Sequence, residues 1–219
     1  YQIHRYSPIV APEETLGAFD ELVRAGKVRF IGCSTFPAWA VVEAINISNQ
    51  AGQAAYISEQ PPYNLLDRRI ENELVPMAQK YDLAILPWSP LGAGILANRY
   101  AGGIPEGSRG SRRPQMLERL TPTAIAVGQA VADLGEKRGL TATQMALLWC
   151  KEQAGVTAPI IGPRTIEQLQ DALVILNHTL DPEARAACDA LVSPGHAVID
   201  FLNTSGWSKP LVVAAGENP

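Results

Sequence analysis

Val28-Arg-Phe-Ile-Gly-Cys-Ser34 is a short, mostly apolar run that ends in a serine. Similar runs, each ending in a polar, aromatic or glycine residue, occur at 1–5, 55–60, 83–89 and 158–162. The runs lack the apolar-polar alternation of half-exposed strands, which is typical of parallel strands buried on both faces. The gaps between them hold segments with helical spacing of apolar residues. The sequence therefore predicts an α/β fold with a parallel sheet and about five βα units.

Length and composition predict one globular domain over residues 1–219. The chain has 219 residues, of which 47% are hydrophobic and 18% charged, enough for one sizeable core. The net charge of −4 and the lack of a dense Lys/Arg tract make nucleic acid and membrane insertion poor predictions. One basic cluster, interpreted as a solvated loop, contains Arg109, Arg112 and Arg113.

Cysteine and histidine spacing matches no common metal motif, so no metal site is predicted. The cysteines are expected to be buried thiols of a reducing compartment, which favours a cytoplasmic location. No apolar run reaches the roughly 18 residues of a membrane span, and no secretion signal pattern opens the sequence. The residues concerned are Cys33, Cys150, Cys188, His4, His178 and His196.

Helical spacing of apolar residues recurs along the chain. The predicted helices span 15–24, 38–49, 70–80, 123–138, 141–153, 165–176 and 181–191. Two of them open with a Thr-X-X-Gln capping box, at Thr141 with Gln144 and at Thr165 with Gln168. Capping boxes of this kind mark the first turn of a helix.

Residues 90–120 have a different texture, rich in glycine, proline, serine and arginine. A stretch this long without periodicity predicts a functional lid or a mobile loop. Before it, Tyr63-Asn64 and the charged run 67–69 are interpreted as scaffold around a helix start. The chain ends in a tail that contains Trp207.

Polar and aromatic residues stand at the ends of the predicted strands. Because ligand sites of parallel barrels lie at the carboxyl ends of the strands, these residues are expected to converge. They offer hydrogen bonds for an amide, a flat ring and a guanidinium for a phosphate, which together favour nucleotide binding. The residues are His4, Ser34, Thr35, Gln60, Trp88, Ser89, Gly162 and Arg164.

Four collinear segments carry a resemblance to a known family. The segments at 26–36, 59–64, 87–91 and 160–169 resemble the corresponding motifs of the aldo-keto reductases. The resemblance covers nearly the whole chain and is similar in detail to the bacterial reductases and the potassium-channel β-subunits. It implies a TIM (β/α)8 barrel, of which this chain is the part that begins at the fourth strand.

The resemblance also implies a cofactor, NADP(H), bound in extended form without a Rossmann fold. Ser34 and Gln60 are expected to hydrogen-bond the nicotinamide carboxamide, and Trp88 to stack on the nicotinamide ring. Ser89 and Leu91 are expected to lie along the pyrophosphate.

The adenosine end of the cofactor corresponds to the motif Gly162-Pro-Arg-Thr165. The resemblance implies that Arg164 holds the 2′-phosphate, with Gln168 beside it and the helix dipole adding to the attraction. Two positions depart from the family pattern. Thr35 stands where Asn is usual, and Asp171-Ala172 replaces a Glu-Asn pair near the adenine, so weaker cofactor contacts are expected.

His4 matches the histidine of the family's catalytic tetrad, which polarises the substrate carbonyl. The tetrad's tyrosine, lysine and aspartate belong to upstream strands and are not found in this sequence. Tyr1, Tyr6 and Tyr63 do not stand in the catalytic tyrosine context. We therefore expect this chain alone to be catalytically incomplete, because it lacks the general acid.

The expected function is NADPH-dependent reduction of an aldehyde or ketone to an alcohol. Two alternatives stay open: an NADP(H)-binding regulatory subunit without turnover, and an inactive fragment. The small-molecule carbonyl substrate is not identified by the sequence. A partial barrel leaves open sheet edges, so either an upstream segment or self-association is expected to cover them.

Overall fold

A computed structural model describes residues 1–112 and 114–203. Arg113 and Trp207, both singled out in the sequence, lie outside these residues. Four parallel strands form one sheet in the order β1-β2-β3-β4. The strands are β1 Gln2–Ile3, β2 Ile31–Ser34, β3 Tyr56–Gln60 and β4 Ala84–Ile85. The predicted parallel α/β sheet is confirmed, and within the described residues it does not close into a barrel.

The fifth predicted strand, at 158–162, is not a strand in the structure. The chain does run beside β4, through a bridge between Val156 and Ile85 and a hydrogen bond of 2.9 Å from Thr157 N to Ile85 O. Ile160 N then donates to Pro87 O at 2.7 Å. Pro159 has no N–H to continue the ladder, which explains why regular pairing fails here.

Eight α-helices occur in the described residues; seven of them confirm the predicted helical segments with shifted ends, and α4 lies within 90–120. They are α1 Pro12–Arg24, α2 Ala38–Ala51, α3 Leu74–Lys80, α4 Arg109–Arg112, α5 Pro122–Glu136, α6 Ala142–Lys151, α7 Ile166–Leu173 and α8 Pro182–Leu191. Thr141 and Gln144 form the predicted capping box of α6. Gly52 ends α2 in the left-handed conformation, with φ of 62°.

The predicted helix 70–80 is broken into a 3-10 turn, Arg69–Glu71, and the short helix α3. The break follows from Pro76. Proline has no N–H, and its ring clashes with the carbonyl four residues earlier, so a helix cannot continue through it from residue 70. Placed in the first turn of α3, Pro76 is tolerated.

The segment 90–120 is not the structureless loop that its composition predicted. It holds the 3-10 turns Gly92–Gly94 and Pro114–Arg119 as well as α4. Ile95, Leu96 and Tyr100 are buried in the core, and the Tyr100 hydroxyl contacts the Ala93 carbonyl at 3.3 Å. The first half of this segment is therefore part of the packed domain.

Helices cover the outer face of the sheet and bury most of its apolar side chains. Cys33, Cys150 and Cys188 are free and buried, which confirms their prediction as buried thiols. None of the described helices combines the length and apolarity needed to cross a bilayer.

Apolar side chains are exposed at the amino-terminal ends of β1, β2 and β3. Tyr1, Phe30 and Ile57 are 70%, 63% and 46% exposed and line one cavity there. Ile166 and Leu176, at the other end of the described fold, are similarly exposed. Self-association over these surfaces stays a prediction.

Candidate functional site

The strand register brings the predicted site residues to one edge of the sheet. Ile3 pairs with Cys33, Ser34 pairs with Gln60, and a parallel bridge joins Pro62 to Trp88. His4 follows Ile3 directly and leaves β1 next to the end of β2. The structure therefore places His4, Ser34, Gln60 and Trp88 at or just after the ends of neighbouring strands, and their role as a site stays a prediction.

Ser34 and Thr35 are held against the end of β3. The Ser34 hydroxyl donates to the Gln60 carbonyl at 2.7 Å, and Thr35 N donates to the same oxygen at 3.2 Å. The two hydroxyls lie 3.3 Å apart. Thr35 has φ of 56°, a left-handed conformation that a β-branched residue rarely adopts. These contacts hold the turn that follows β2 in a conformation that is costly for threonine.

Trp88 is oriented by its indole nitrogen. Nε1 donates to the Thr35 hydroxyl at 3.3 Å, and the Trp88 main chain bonds Pro61 and Tyr63 on the extension of β3. The ring is half-buried and so keeps one part accessible. Thr35, noted above as a departure from the family pattern, is thus the residue that fixes the direction of the Trp88 ring.

Ser89 and Leu91 follow Trp88 on a tight turn. Ser89 has φ of 55°, and its carbonyl accepts from Asn64 Nδ2 at 3.1 Å. Asn64 is fully buried, and its Oδ1 accepts from Leu66 N at 2.9 Å. The interpretation of Asn64 as scaffold is therefore confirmed, and what it supports is the turn that carries Ser89.

Gly162, Arg164 and Gln168 lie on the surface after the segment that runs beside β4. The Thr165 hydroxyl caps α7 by accepting from Gln168 N at 3.3 Å. Gln168 Oε1 accepts from Arg164 N at 2.8 Å, so its amide holds the Arg164 backbone. Within residues 1–112 and 114–203 the Arg164 guanidinium forms no ion pair, which leaves it accessible to an anion.

Asp171 is bound to the neighbouring helix. Its Oδ1 accepts from Gln144 Nε2 at 2.7 Å, and the same amide also donates to the Asp171 carbonyl. Gln144 Oε1 in turn accepts from Thr141 N at 2.9 Å. Asp171 therefore ties α7 to the start of α6, and its predicted contact with an adenine stays a prediction.

Two residues that the sequence did not single out, Gln2 and Glu59, contact the predicted site residues. Gln60 Nε2 donates to Gln2 Oε1 at 2.5 Å, and Gln2 Nε2 donates to Ser58 Oγ at 3.0 Å. A signal for Gln2 was present, because it is a polar residue inside an apolar strand.

Glu59 precedes Gln60 and points to the opposite, helix-covered face. Its side chain is fully buried, and Oε1 accepts from Phe36 N at 3.2 Å, just after Thr35. Oε2 meets no N–H group in the described part of the chain, and the neighbouring Cys33 thiol is only a weak donor. Burial therefore raises the pKa of Glu59 to about 7.

The stability of the chain is expected to fall as pH rises from about 5 to about 8, because Glu59 must ionise in a buried site. A raised pKa means that the neutral form stabilises the fold, and this contribution is lost as pH passes through about 7. Burial also raises the pKa of Cys33 and Tyr56, which face Glu59, so both stay neutral in this range. Glu59→Gln is expected to remove the dependence, measured by urea unfolding at several pH values. Parallel curves for the variant and the wild type would contradict the assignment.

Comparison with known proteins identifies the family of the chain. A model of the Aldo/keto reductase family matches residues 1–193. The chain belongs to the aldo/keto reductase family. Membership implies a TIM barrel. The described residues form an open sheet of four parallel strands.

Several curated relatives align with most of this chain. It is 34% identical over 196 residues to the uncharacterized oxidoreductase YrpG of Bacillus subtilis, covering 89% of the chain and 59% of that relative. It is 34% identical to a putative aryl-alcohol dehydrogenase of Schizosaccharomyces pombe, covering 83% and 55%. A putative voltage-gated potassium channel subunit beta of the same yeast is 35% identical, covering 76% and 50%. The chain thus spans between half and three fifths of the length of these relatives.

Proposed function

We propose that this protein is an oxidoreductase that reduces aldehydes or ketones to alcohols with NADPH. The observation that carries the proposal is the contact of the Trp88 indole with Thr35, beside Ser34 and Gln60, at the carboxyl ends of adjacent strands. Membership of the aldo/keto reductase family supports the reaction class. Relatives named as a putative aryl-alcohol dehydrogenase and, in Aspergillus parasiticus, as a versiconal hemiacetal acetate reductase support it further.

The polar groups at this edge match the chemistry of a nicotinamide carboxamide. That group has two N–H donors and one carbonyl acceptor. Gln60 Oε1 and the Ser34 oxygen have lone pairs for the donors, and the Thr35 hydroxyl has a proton for the carbonyl. The Trp88 ring has the flat face that an aromatic cofactor ring needs for stacking. When bound, the cofactor supplies the hydride, while these residues orient its ring.

Arg164 is proposed to bind the 2′-phosphate of the cofactor. A guanidinium is planar and always charged, and it meets phosphate oxygens with two parallel hydrogen bonds. Gln168 has its Oε1 on Arg164 N, so in this proposal it positions the arginine backbone. The start of α7 adds partial positive charge at the same place. Gly162, Ser89 and Leu91 are proposed to contact the rest of the phosphate-bearing part.

His4 is proposed to donate a hydrogen bond to the substrate carbonyl oxygen. The side chain is exposed at the end of β1, next to the Ser34 end of β2. A donor in this position stabilises negative charge that develops on oxygen during reduction.

A second candidate is an NADP(H)-binding subunit without turnover. The observation that favours it is the 35% identity to a relative named as a potassium channel subunit beta. Both candidates need the same cofactor site, so cofactor binding does not separate them. Loss of nicotinamide absorbance with a simple aldehyde supports the enzyme, whereas binding without turnover supports the subunit.

NADPH is expected to quench the tryptophan fluorescence of the chain, and Arg164→Ala is expected to weaken NADPH binding about tenfold or more. NADH lacks the 2′-phosphate, so its affinity should not change. Lys27→Ala is the matched control, because it removes an exposed charge at the opposite end of the sheet. Trp88→Leu should remove most of the quenching.

Two outcomes would contradict these assignments. Equal losses of NADPH and NADH affinity in Arg164→Ala would show that the arginine does not recognise the 2′-phosphate. The absence of quenching at saturating NADPH in the wild-type chain would contradict the stacking role of Trp88. Titration of both dinucleotides against the three variants measures all of this in one series.

A further inference from the structure

Three polar side chains form a hydrogen-bonded row across one face of the sheet. Ser58 on β3 accepts from Gln2 on β1 at 3.0 Å, and Gln2 accepts from Gln60 at 2.5 Å. Ser58 and Gln60 are two residues apart on the same strand, so their side chains share a face. The Gln2 side chain therefore crosses β2 completely and bonds both of them.

Gly32 on β2 makes this crossing possible. It pairs with Gln2 in the sheet and lies between Gln2 and Ser58. A Cβ atom at this position would stand 2.3 Å from Ser58 Oγ and 3.3 Å from Gln2 Cγ. It would also stand 2.8 Å from the Ser58 main-chain oxygen, so both the close approach of β3 and the side-chain row require glycine at position 32. Any other residue there would displace Ser58 and disrupt the row.

The row fixes the orientation of the Gln60 amide. Gln2 takes one of the two N–H groups on its nitrogen, whereas Oε1 has no partner in the part of the chain that the structure describes. The Ser34 hydroxyl bonds the Gln60 main-chain carbonyl, so it restrains the backbone and not the amide. Gln2 is thus the group that decides which end of the Gln60 amide meets a ligand.

We propose that Gln2 is a positioning residue, which turns the Gln60 amide so that Oε1 accepts an N–H from the nicotinamide carboxamide. The inference rests on the proposed function and adds a preference among nicotinamide cofactors to it. A free glutamine side chain samples several rotamers and both amide orientations, and ordering it on binding costs free energy. With Gln2 in place, the acceptor is oriented beforehand, and cofactors whose ring substituent has an N–H donor are preferred.

The test compares NADPH with its 3-acetylpyridine analogue, which keeps the carbonyl and replaces the amide nitrogen by a methyl group. The measured quantity is the dissociation constant of the analogue divided by that of NADPH, both from fluorescence titration. This ratio does not depend on the fraction of folded protein. Gln2→Leu is expected to lower the preference for NADPH by about threefold to tenfold, the worth of one hydrogen bond.

Two further variants separate orientation from packing. Gln2→Glu keeps an acceptor for Gln60 Nε2, so it should retain the wild-type ratio. Ser58→Ala removes only the far anchor of Gln2 and should lower the ratio in the same direction as Gln2→Leu. A wild-type ratio in Gln2→Leu, or equal losses in the leucine and glutamate variants, would overturn the inference while NADPH binding by the wild type stands. Failure of the wild type to bind NADPH would overturn the proposed function and the inference together.

Discussion

Replacing Arg68 by alanine is expected to lower the free energy of unfolding by about 3 kcal/mol, because it breaks a buried ion-pair network. The Arg68 side chain is 3% exposed. Its guanidinium donates to Glu71 at 2.7 Å, to Asp189 at 2.6 Å and to the Val192 carbonyl at 2.7 Å. It also lies over the Trp149 ring, 5.2 Å from the centroid. Alanine removes the Arg68 partner of Asp189 and of the Val192 carbonyl, and one of several partners of Glu71.

The position of Arg68 explains the size of the expected loss. Asp189 is 37% exposed and can regain water, so its part of the interaction is screened. Glu71 is 19% exposed, and it also accepts from the Tyr63 hydroxyl at 2.6 Å. Because Tyr63 N bonds the Trp88 carbonyl, the network stands directly behind the candidate site. Its loss should loosen the contact of α8 with that region.

Urea unfolding of Arg68→Ala and of a surface control measures this effect. Arg24→Ala is the control, since Arg24 is 68% exposed and pairs with Asp20 on the same helix. The Asp20 side chain is 12% exposed but keeps its hydrogen bond from Ala54 N, so loss of the exposed Arg24 is expected to cost about 1 kcal/mol or less. A loss for Arg68→Ala no larger than that of Arg24→Ala would show that the network does not hold α8 to the sheet.

The strand ends could be predicted from sequence because the signal for them is local. Each apolar run stops at a polar or aromatic residue, and parallel strands share one direction, so His4, Ser34, Gln60 and Trp88 had to meet at one edge. The prediction failed at 158–162, where Pro159 interrupts the ladder. The apolar content predicted a strand there, but Pro159 has no N–H to donate, so regular strand pairing does not continue.

Contacts between distant residues could not be predicted in the same way. Gln2 reaches Gln60 only because Gly32 lies between them, a relation that depends on strand register. Arg68 donates to Asp189, which lies 121 residues later in the sequence. The charged run 67–69 was correctly interpreted as scaffold, but this partner was not predicted. The burial of Glu59 likewise depends on helices packing over the sheet. Composition cannot reveal such partners, since none of them is a neighbour in sequence.

The segment 90–120 shows the same limit. Its glycine and proline content predicted a loop, although the segment also contains the apolar residues Ile95 and Leu96, which the structure buries. The reason is Gly128 on α5, which lets the helix approach the Ile95 main chain closely. A Cβ at position 128 would stand 2.4 Å from the Ile95 carbonyl oxygen. Close packing between α5 and this segment therefore depends on one glycine.

Gly128→Ala is expected to destabilise the chain by about 2 kcal/mol, although alanine is the better helix former. The new methyl group meets a main-chain oxygen, which cannot move aside as a flexible side chain can. Gly17 on α1 is the matched control, because a Cβ there meets only Gln53 Nε2, at 3.9 Å. Gly17→Ala should therefore stabilise the chain by up to about 1 kcal/mol.

The opposite signs of the two variants are the decisive result of urea unfolding. Both replace a helical glycine by alanine, so differences in propensity and in the unfolded chain cancel between them. The remaining difference in stability comes from the contact of position 128 with Ile95, which lies four residues after Leu91 at the end of the candidate site. If Gly128→Ala were as stabilising as Gly17→Ala, the segment after Trp88 would not be packed against α5. In that case the sequence-based prediction of a mobile loop would be the better description of residues 90–120.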